Sequence, residues 1–333
     1  MPFASLVGNE FAKTALLRMH ALQRVPNTLL FFGPDGVGKG LFARAFASLL
    51  LNAVESSKLS HGNHPDLHIY QPEGQSGMHS IEAMRQLIDE VVLPPFEAPA
   101  KVFILHDAER MLPSSSNALL KTFEEPSGGT YIILLTSDLN AMLPTIVSRC
   151  RKISFFPIPQ EAISTFAQKE WQKNAEEADR LALLAQGSLA KAKLLASGGK
   201  DPLFTLLPEV FQAAAAKDYP TLTKLLKNFE SLNSAPSEDE NSSEGRDEAK
   251  RSDLVLEAIF GWYRDLHLLK AGASHRLLYH PEQLVLLQKA LTSAEIPSLE
   301  KISLALEHSR LALQRNIKLK SVLENFFLLS FQI

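Results

Sequence analysis

The sequence predicts an α/β fold, a parallel sheet covered by helices and followed by helical domains, and three observations carry that expectation. Short apolar runs occupy residues 27–32, 102–105 and 131–135. Helix-forming segments separate them, as expected of buried parallel strands joined by crossover helices. Beyond about Pro159 the strand signal fades, and segments rich in leucine and alanine take over.

Taken in order, residues 11–24 read as an amphipathic helix, and 27–32 as a strand that turns abruptly glycine-rich at Gly33. From Leu41 the stretch LFARAFASLLL consists of good helix formers, so strand, glycine loop and helix N-terminus stand in succession. The run at 102–105 is followed by His106, Asp107, Ala108 and Glu109, then by the helix-like SSSNALLKTFEE. The third run ends in Thr136 and Ser137. In such a sheet a ligand is expected at the carboxyl ends of the strands. EEADRLALLAQGSLAKAKLLA reads as helix, and residues 234–252, SAPSEDENSSEGRDEAKRS, lack large apolar side chains and read as a solvated or disordered insertion. From Leu254 onward long amphipathic helices are expected.

At 333 residues and 45% hydrophobic content the chain can fill two or three globular domains. A net charge of -3 does not predict strong autonomous binding to DNA, so any DNA contact is expected to be shared with partners. Cys150 stands alone, which excludes an intramolecular disulfide framework and a zinc site built on several thiolates. MPFASLVGNE has neither a basic nor an apolar leader region, and no run approaches the roughly 18 apolar residues of a membrane span, so a cytoplasmic chain with no membrane contact is expected.

GPDGVGKG at 33–40 fits the spacing G-x-x-x-x-G-K, in which glycines let backbone N–H groups face phosphate oxygens while a lysine supplies charge. Gly33, Gly36, Gly38 and Lys39 are the candidate phosphate contacts. The next residue of a working loop is Ser or Thr, whose hydroxyl holds Mg²⁺; here it is Gly40. The second strand ends in His106 where an acidic residue of the metal sphere belongs, and Mg²⁺ prefers hard oxygen donors. Asp107 and Glu109 read equally as remnants of that acidic pair or as an ordinary solvated helix start. His64 to Asp66, with His61 and His68 nearby, reads as loop structure rather than a metal cluster, and no metal site is expected.

LVGNE, GPDGVGKG, HPD, KVFILHDAERM, SSSNALLKTFEEPS and LLTSDLNAMLPTIVSRCRKISF follow one another between Leu6 and Phe155. In this order they resemble the clamp-loader branch of the AAA+ ATPases, the bacterial gamma/tau and delta-prime subunits that load a ring-shaped sliding clamp onto primed DNA. The pairing of SNALLKTFEEP with SRC about twenty residues later is far more specific than a P-loop alone. The resemblance implies an AAA+ P-loop domain over 1–158, a small helical lid over 159–200 and a helical collar over 201–333 that carries the insertion.

In that family the SRC arginine acts on the nucleotide of a neighbouring subunit, which maps the role to Arg149 between Ser148 and Cys150. A guanidinium is always charged and offers several fixed donors to a γ-phosphate; the alternative is a surface or ion-paired arginine at a strand start. Thr136 stands at the family's sensor-1 position, or else only caps its strand. The sensor-2 pattern G-S-x-R survives as Gly187, Ser188, Leu189, Ala190 without its arginine, with Lys191 as a weak substitute. The four zinc-binding cysteines usual between the P-loop helix and HPD are replaced by LNAVESSKLSHGN, so no zinc is expected.

The joint loss of hydroxyl, acidic pair and sensor-2 arginine resembles delta-prime more than gamma/tau. It implies a DNA polymerase III component that needs no cofactor of its own, holds ATP or ADP without hydrolysis if at all, and has gamma/tau-like and delta-like subunits, the clamp and, through the assembly, primed DNA as partners. The second reading is an active gamma/tau-type ATPase with Asp107 recruited for metal and water, against which Gly40 and His106 count. A small-molecule P-loop kinase leaves SRC and the helical C-terminus without a purpose. Leu304, Leu306, Leu311, Leu313, Leu323, Phe326 and Phe327 fit either a collar interface or an intrachain core, and Arg310, Arg315, Lys318 and Lys320 either a DNA contact or a solvated face.

Overall fold

In the computed structural model, β1 (Thr28–Phe32) alternates its side chains between two apolar layers. Leu29 and Phe31 pack with Ala12 and Leu16 of α1 (Glu10–Ala21), which ends short of the expected residue 24, and with Phe42 and Phe46 of α2 (Lys39–Leu50), while Leu30 packs with Met84 and Leu87 of α3 (Ile81–Val91). A strand covered on both faces has no polar side, which is why the sequence shows it as a continuous apolar run. The described residues are 2–53, 64–72, 77–124, 128–196, 202–233, 244–293, 296–315 and 317–331.

β3 (Lys101–Leu105) and β4 (Thr130–Thr136) repeat the pattern of β1. Two further strands, β2 (Leu67–Tyr70) and β5 (Arg151–Ser154), complete a parallel sheet of order β2-β3-β4-β1-β5. Only the start of β5 is marked in the sequence, beside Arg149, and β2 is not marked at all. Both lie at sheet edges, where one flank is unpaired, and their sequences LHIY and RKIS are correspondingly polar.

Two of the expected helical stretches are each divided into two helices. SSSNALLKTFEE divides at Leu119 into α4 (Pro113–Ala118) and α5 (Leu120–Glu124). Past α6 (Pro144–Val147) and α7 (Gln160–Glu170), the stretch expected to be helical forms two helices, α8 (Ala175–Ala185) and α9 (Leu189–Ala196). Gln186 and Gly187 adopt left-handed backbone there, with φ of 51° and 87°, which ends a helix.

The described residues form two compact units, one through Ala196 and the other from Pro202 onward. The second unit is helical: α10 (Pro202–Ala215), α11 (Tyr219–Asn233), α12 (Glu244–Lys270), α13 (Leu284–Ser293), α14 (Leu299–Gln314) and α15 (Leu319–Phe331). Residues 244–252, expected to belong to an unstructured insertion, are the first turns of α12, and 234–243 lie outside the described residues. The charge pattern that reads as a loop also suits a helix, since Glu, Lys, Arg and Ala are strong helix formers.

Phe211 stacks on Trp262 with ring centroids 4.6 Å apart at the centre of this unit, and Leu306, Leu323, Phe326 and Phe327 belong to the same core. Leu313 packs against it, whereas Leu304 and Leu311 are 55% and 46% exposed and leave the intrachain core. Arg310, Arg315 and Lys318 are exposed, while Lys320 is half-buried and pairs with Glu324 at 3.6 Å. Among the described residues no helix is long and apolar enough to cross a membrane.

Candidate functional site

The loop after β1 departs from the sheet at Gly33, whose N–H donates to the carbonyl of Thr136 at 3.3 Å. Gly33 needs glycine: its φ is +146°, and a Cβ there would strike the carbonyl oxygen of Phe155. Gly38, also left-handed, leads into α2, so Lys39 is the first residue of that helix. Its Nζ donates to the carbonyls of Gly33 at 2.5 Å and Pro34 at 2.8 Å, and pairs with Asp35 at 3.4 Å. Burial pushes its pKa down, opposed by Asp35, then Glu109 and Asp107. The ammonium thus sits inside the loop that would present it to a phosphate.

The carboxyl end of β3 closes on the same place. The N–H of His106 donates to Tyr70 at 2.9 Å, its carbonyl lies 2.8 Å from Nε2 of buried His79, and its ring lies against Gly40. His79 escapes sequence reasoning because a lone histidine just before a helix carries no motif. Asp107 takes left-handed backbone at φ 49°, and Glu109 Oε1 accepts from Ser137 Oγ at 2.8 Å and from the Ser137 N–H at 3.3 Å. Thr136 is 1% exposed; its hydroxyl donates to the carbonyl of Asp138 at 3.0 Å and accepts the Asp138 N–H at 3.2 Å. That geometry closes the turn after β4.

The residues present do not fit the Mg²⁺ that this type of loop ordinarily holds. Gly40 offers no hydroxyl, and the volume its side chain would fill belongs to an imidazole. The start of α9 completes the surroundings: Ala190 N–H donates to Gly36 O at 3.2 Å, and Ser188 Oγ accepts the N–H of Lys191 at 3.2 Å.

HPD is a loop clamp. Asp66, with no exposed surface, accepts the N–H groups of Phe96, Glu97 and Ala98 at 2.6, 2.9 and 2.8 Å, and its own N–H donates to His64 Nδ1. Burial raises the Asp66 pKa, but the three amides and then His64 outweigh it and hold the carboxyl below its ordinary range. His68 lies on β2, 2.9 Å from Glu90. His61 and residues 125–127 of the FEEPS stretch lie outside the described residues, as does most of LNAVESSKLSHGN.

Arg149 is not gathered with the others. It follows α6, is exposed, and donates from Nη1 to the carbonyl of Thr145 at 2.9 Å. β5 begins two residues later, with Arg151 level with Leu29 of β1. Because the strands are parallel, Arg149 stands before the amino end of β5, while Gly33 lies at the carboxyl edge, four residues along β1 from the level of Arg151. At about 3.3 Å per residue that separates the two levels by roughly 13 Å. Arg149 and the glycine loop after β1 thus stand at opposite edges of the sheet.

Residues 8–159 match the family model described as DNA polymerase III, delta subunit. A DNA polymerase III subunit delta' of Pseudomonas aeruginosa is 34% identical over 187 residues, which are 51% of this chain and 56% of that one. The subunit delta' of Bacillus subtilis is 26% identical over 323 residues, 92% of this chain and 91% of its own length. The chain thus spans about half the length of the first relative and most of the second. Among solved structures, a DNA polymerase III gamma subunit-related protein from Thermotoga maritima covers 95% of this chain and 98% of its own, at 16% identity and a TM-score of 0.47.

Proposed function

Because this chain is a relative of DNA polymerase III delta' subunits, we propose that it is a clamp-loader subunit of that type, which helps place a sliding clamp on primed DNA. Its own nucleotide site is degenerate, and Arg149 serves the ATP of a gamma/tau-like neighbour. Its other partners in this reading are a delta-like subunit, the clamp and, through the assembly, DNA; it works in the cytoplasm.

The observation that carries the reading is the position of Arg149, exposed at the sheet edge opposite Gly33 and Lys39. An arginine so placed cannot stabilise charge on a phosphate held by its own loop, but it is available to a nucleotide on another subunit. Lys39 supports the same reading, since its ammonium is already satisfied by Gly33, Pro34 and Asp35.

The test is DNA- and clamp-stimulated ATP turnover by a reconstituted loader containing wild-type, Lys39→Ala or Arg149→Ala chain. Turnover is expected to collapse with Arg149→Ala and to persist with Lys39→Ala. Loss of a share of turnover with Lys39→Ala alone would favour an active gamma/tau-type ATPase, and indifference to both would remove the role given to Arg149.

A further inference from the structure

Two departures from a working phosphate loop, Gly40 and His106, are 66 positions apart in the sequence and adjacent in space. A Cβ built on Gly40 lies 2.9 Å from Cε1 of His106 and 3.8 Å from both ring nitrogens. Gly40 is not among the glycines with left-handed backbone, so the conformation there admits any residue; what a side chain at position 40 would meet is the imidazole. Read from the other side, the ring occupies the volume into which a Ser or Thr hydroxyl would project. The main chain that carries the ring is itself fixed, since the N–H of His106 is bonded to Tyr70 O and its carbonyl lies against His79. One oxygen donor for Mg²⁺ is thus missing, a second is replaced by nitrogen, and the space between them is filled.

We propose that Gly40 and His106 form a single coupled closure of the Mg²⁺ position, so that this chain takes no Mg²⁺-nucleotide and any polyphosphate held by Lys39 and the loop amides is held without metal. The inference rests on reading residues 33–39 as a phosphate loop and not on the role of Arg149. The closure is mutual. A hydroxyl restored at position 40 alone meets the ring, and an acid restored at position 106 alone finds no hydroxyl to share a metal with.

The experiment is calorimetric titration of the full chain with ADP and with ATP, once in Mg²⁺ and once in EDTA. It compares wild type, Gly40→Ser, His106→Asp, the Gly40→Ser/His106→Asp pair, and Gly40→Ser/His106→Ala, with folding checked by circular dichroism. Wild type and both single variants are expected to bind no more tightly in Mg²⁺ than in EDTA, including the case of no binding in either. At least one folded double variant is expected to gain roughly tenfold or more in affinity on adding Mg²⁺, about 1.4 kcal/mol. Wild type binding tenfold more tightly in Mg²⁺ overturns the proposal, and so do folded double variants with no metal-dependent gain, which would move the block to the start of α9 at Gly36. None of these outcomes bears on the turnover measured with Arg149→Ala, so the two readings fail separately.

Discussion

Ala190 donates its backbone N–H to the carbonyl oxygen of Gly36 at 3.2 Å, tying the first turn of α9 to the middle of the glycine loop after β1. The contact needs a residue without a side chain on the loop side. Gly36 has φ +76°, and a Cβ there would run into Ser188 Oγ and come within 3.0 Å of Ala190 Cβ.

Gly36→Ala is therefore expected to destabilise the chain, by left-handed strain of about 1 kcal/mol and by overpacking of about 1–3 kcal/mol. Urea unfolding of the two chains, with unchanged slope and a lower midpoint, is the check. A midpoint equal to wild type would mean that α9 does not rest on the loop in solution.

Asp66→Asn removes the charge but not the shape of the clamp on residues 96–98. One amide oxygen cannot replace two carboxylate oxygens that accept three N–H groups, so a loss of about 2–3 kcal/mol is expected at neutral pH. The sign of the pH dependence follows from the depressed carboxyl. Its folded pKa lies below the ordinary 3.8, so its contribution is complete above 3.8 and is lost as pH falls through the folded value. The stability gap between wild type and Asp66→Asn should be constant from pH 7 to 5 and shrink below about pH 4; a gap that is flat down to pH 2 would contradict the role of the charge.

How much of this was legible beforehand follows a physical rule. The three central strands were visible because a strand buried on both faces is apolar throughout, while β2 was invisible because an edge strand such as LHIY need not be. Loop, lysine and arginine were visible as motifs. Their relations were not: the collision of Gly40 with His106, the rest of Ala190 on Gly36 and the opposite-edge position of Arg149 depend on strand order and register, which no local pattern encodes. Thr136 shows the limit within one residue, since its position suits either a contact with phosphate or a strand cap, and only the structure shows its hydroxyl bonded to the turn at Asp138.

Cys150 is 8% exposed, and burial pushes its thiol up to about 12, with Lys152 opposing weakly. The thiolate is the reacting form. At pH 8 the folded chain should react with iodoacetamide roughly a hundredfold or more slowly than the same chain in guanidinium, where the thiol regains an ordinary pKa near 8.5. Mass spectrometry of timed samples reads the difference. Equal rates would show that the segment carrying Ser148, Arg149 and Cys150 opens freely in the native state.

Arg149→Lys separates a specific guanidinium role from mere positive charge. The residue is exposed and donates to the carbonyl of Thr145, and an exposed substitution of this kind ordinarily shifts stability by no more than about 0.5 kcal/mol, so the melting temperatures of the isolated Arg149→Lys and Arg149→Ala chains are expected to stay close to wild type. In the assembled loader the expectation differs. A lysine is a single point of charge on a flexible stem, whereas the planar guanidinium presents several donors in a fixed fork to the oxygens of a transferring phosphoryl group. Lysine should therefore fail to restore clamp- and DNA-stimulated turnover, leaving the loader near the level of Arg149→Ala. Full activity with lysine would reduce the contribution to long-range electrostatics, and such activity should then fall steeply between low and physiological salt, as screening over about 8–10 Å requires. Activity with lysine that is insensitive to salt would leave no electrostatic role for position 149, and the arginine would have to be sought elsewhere in the loader.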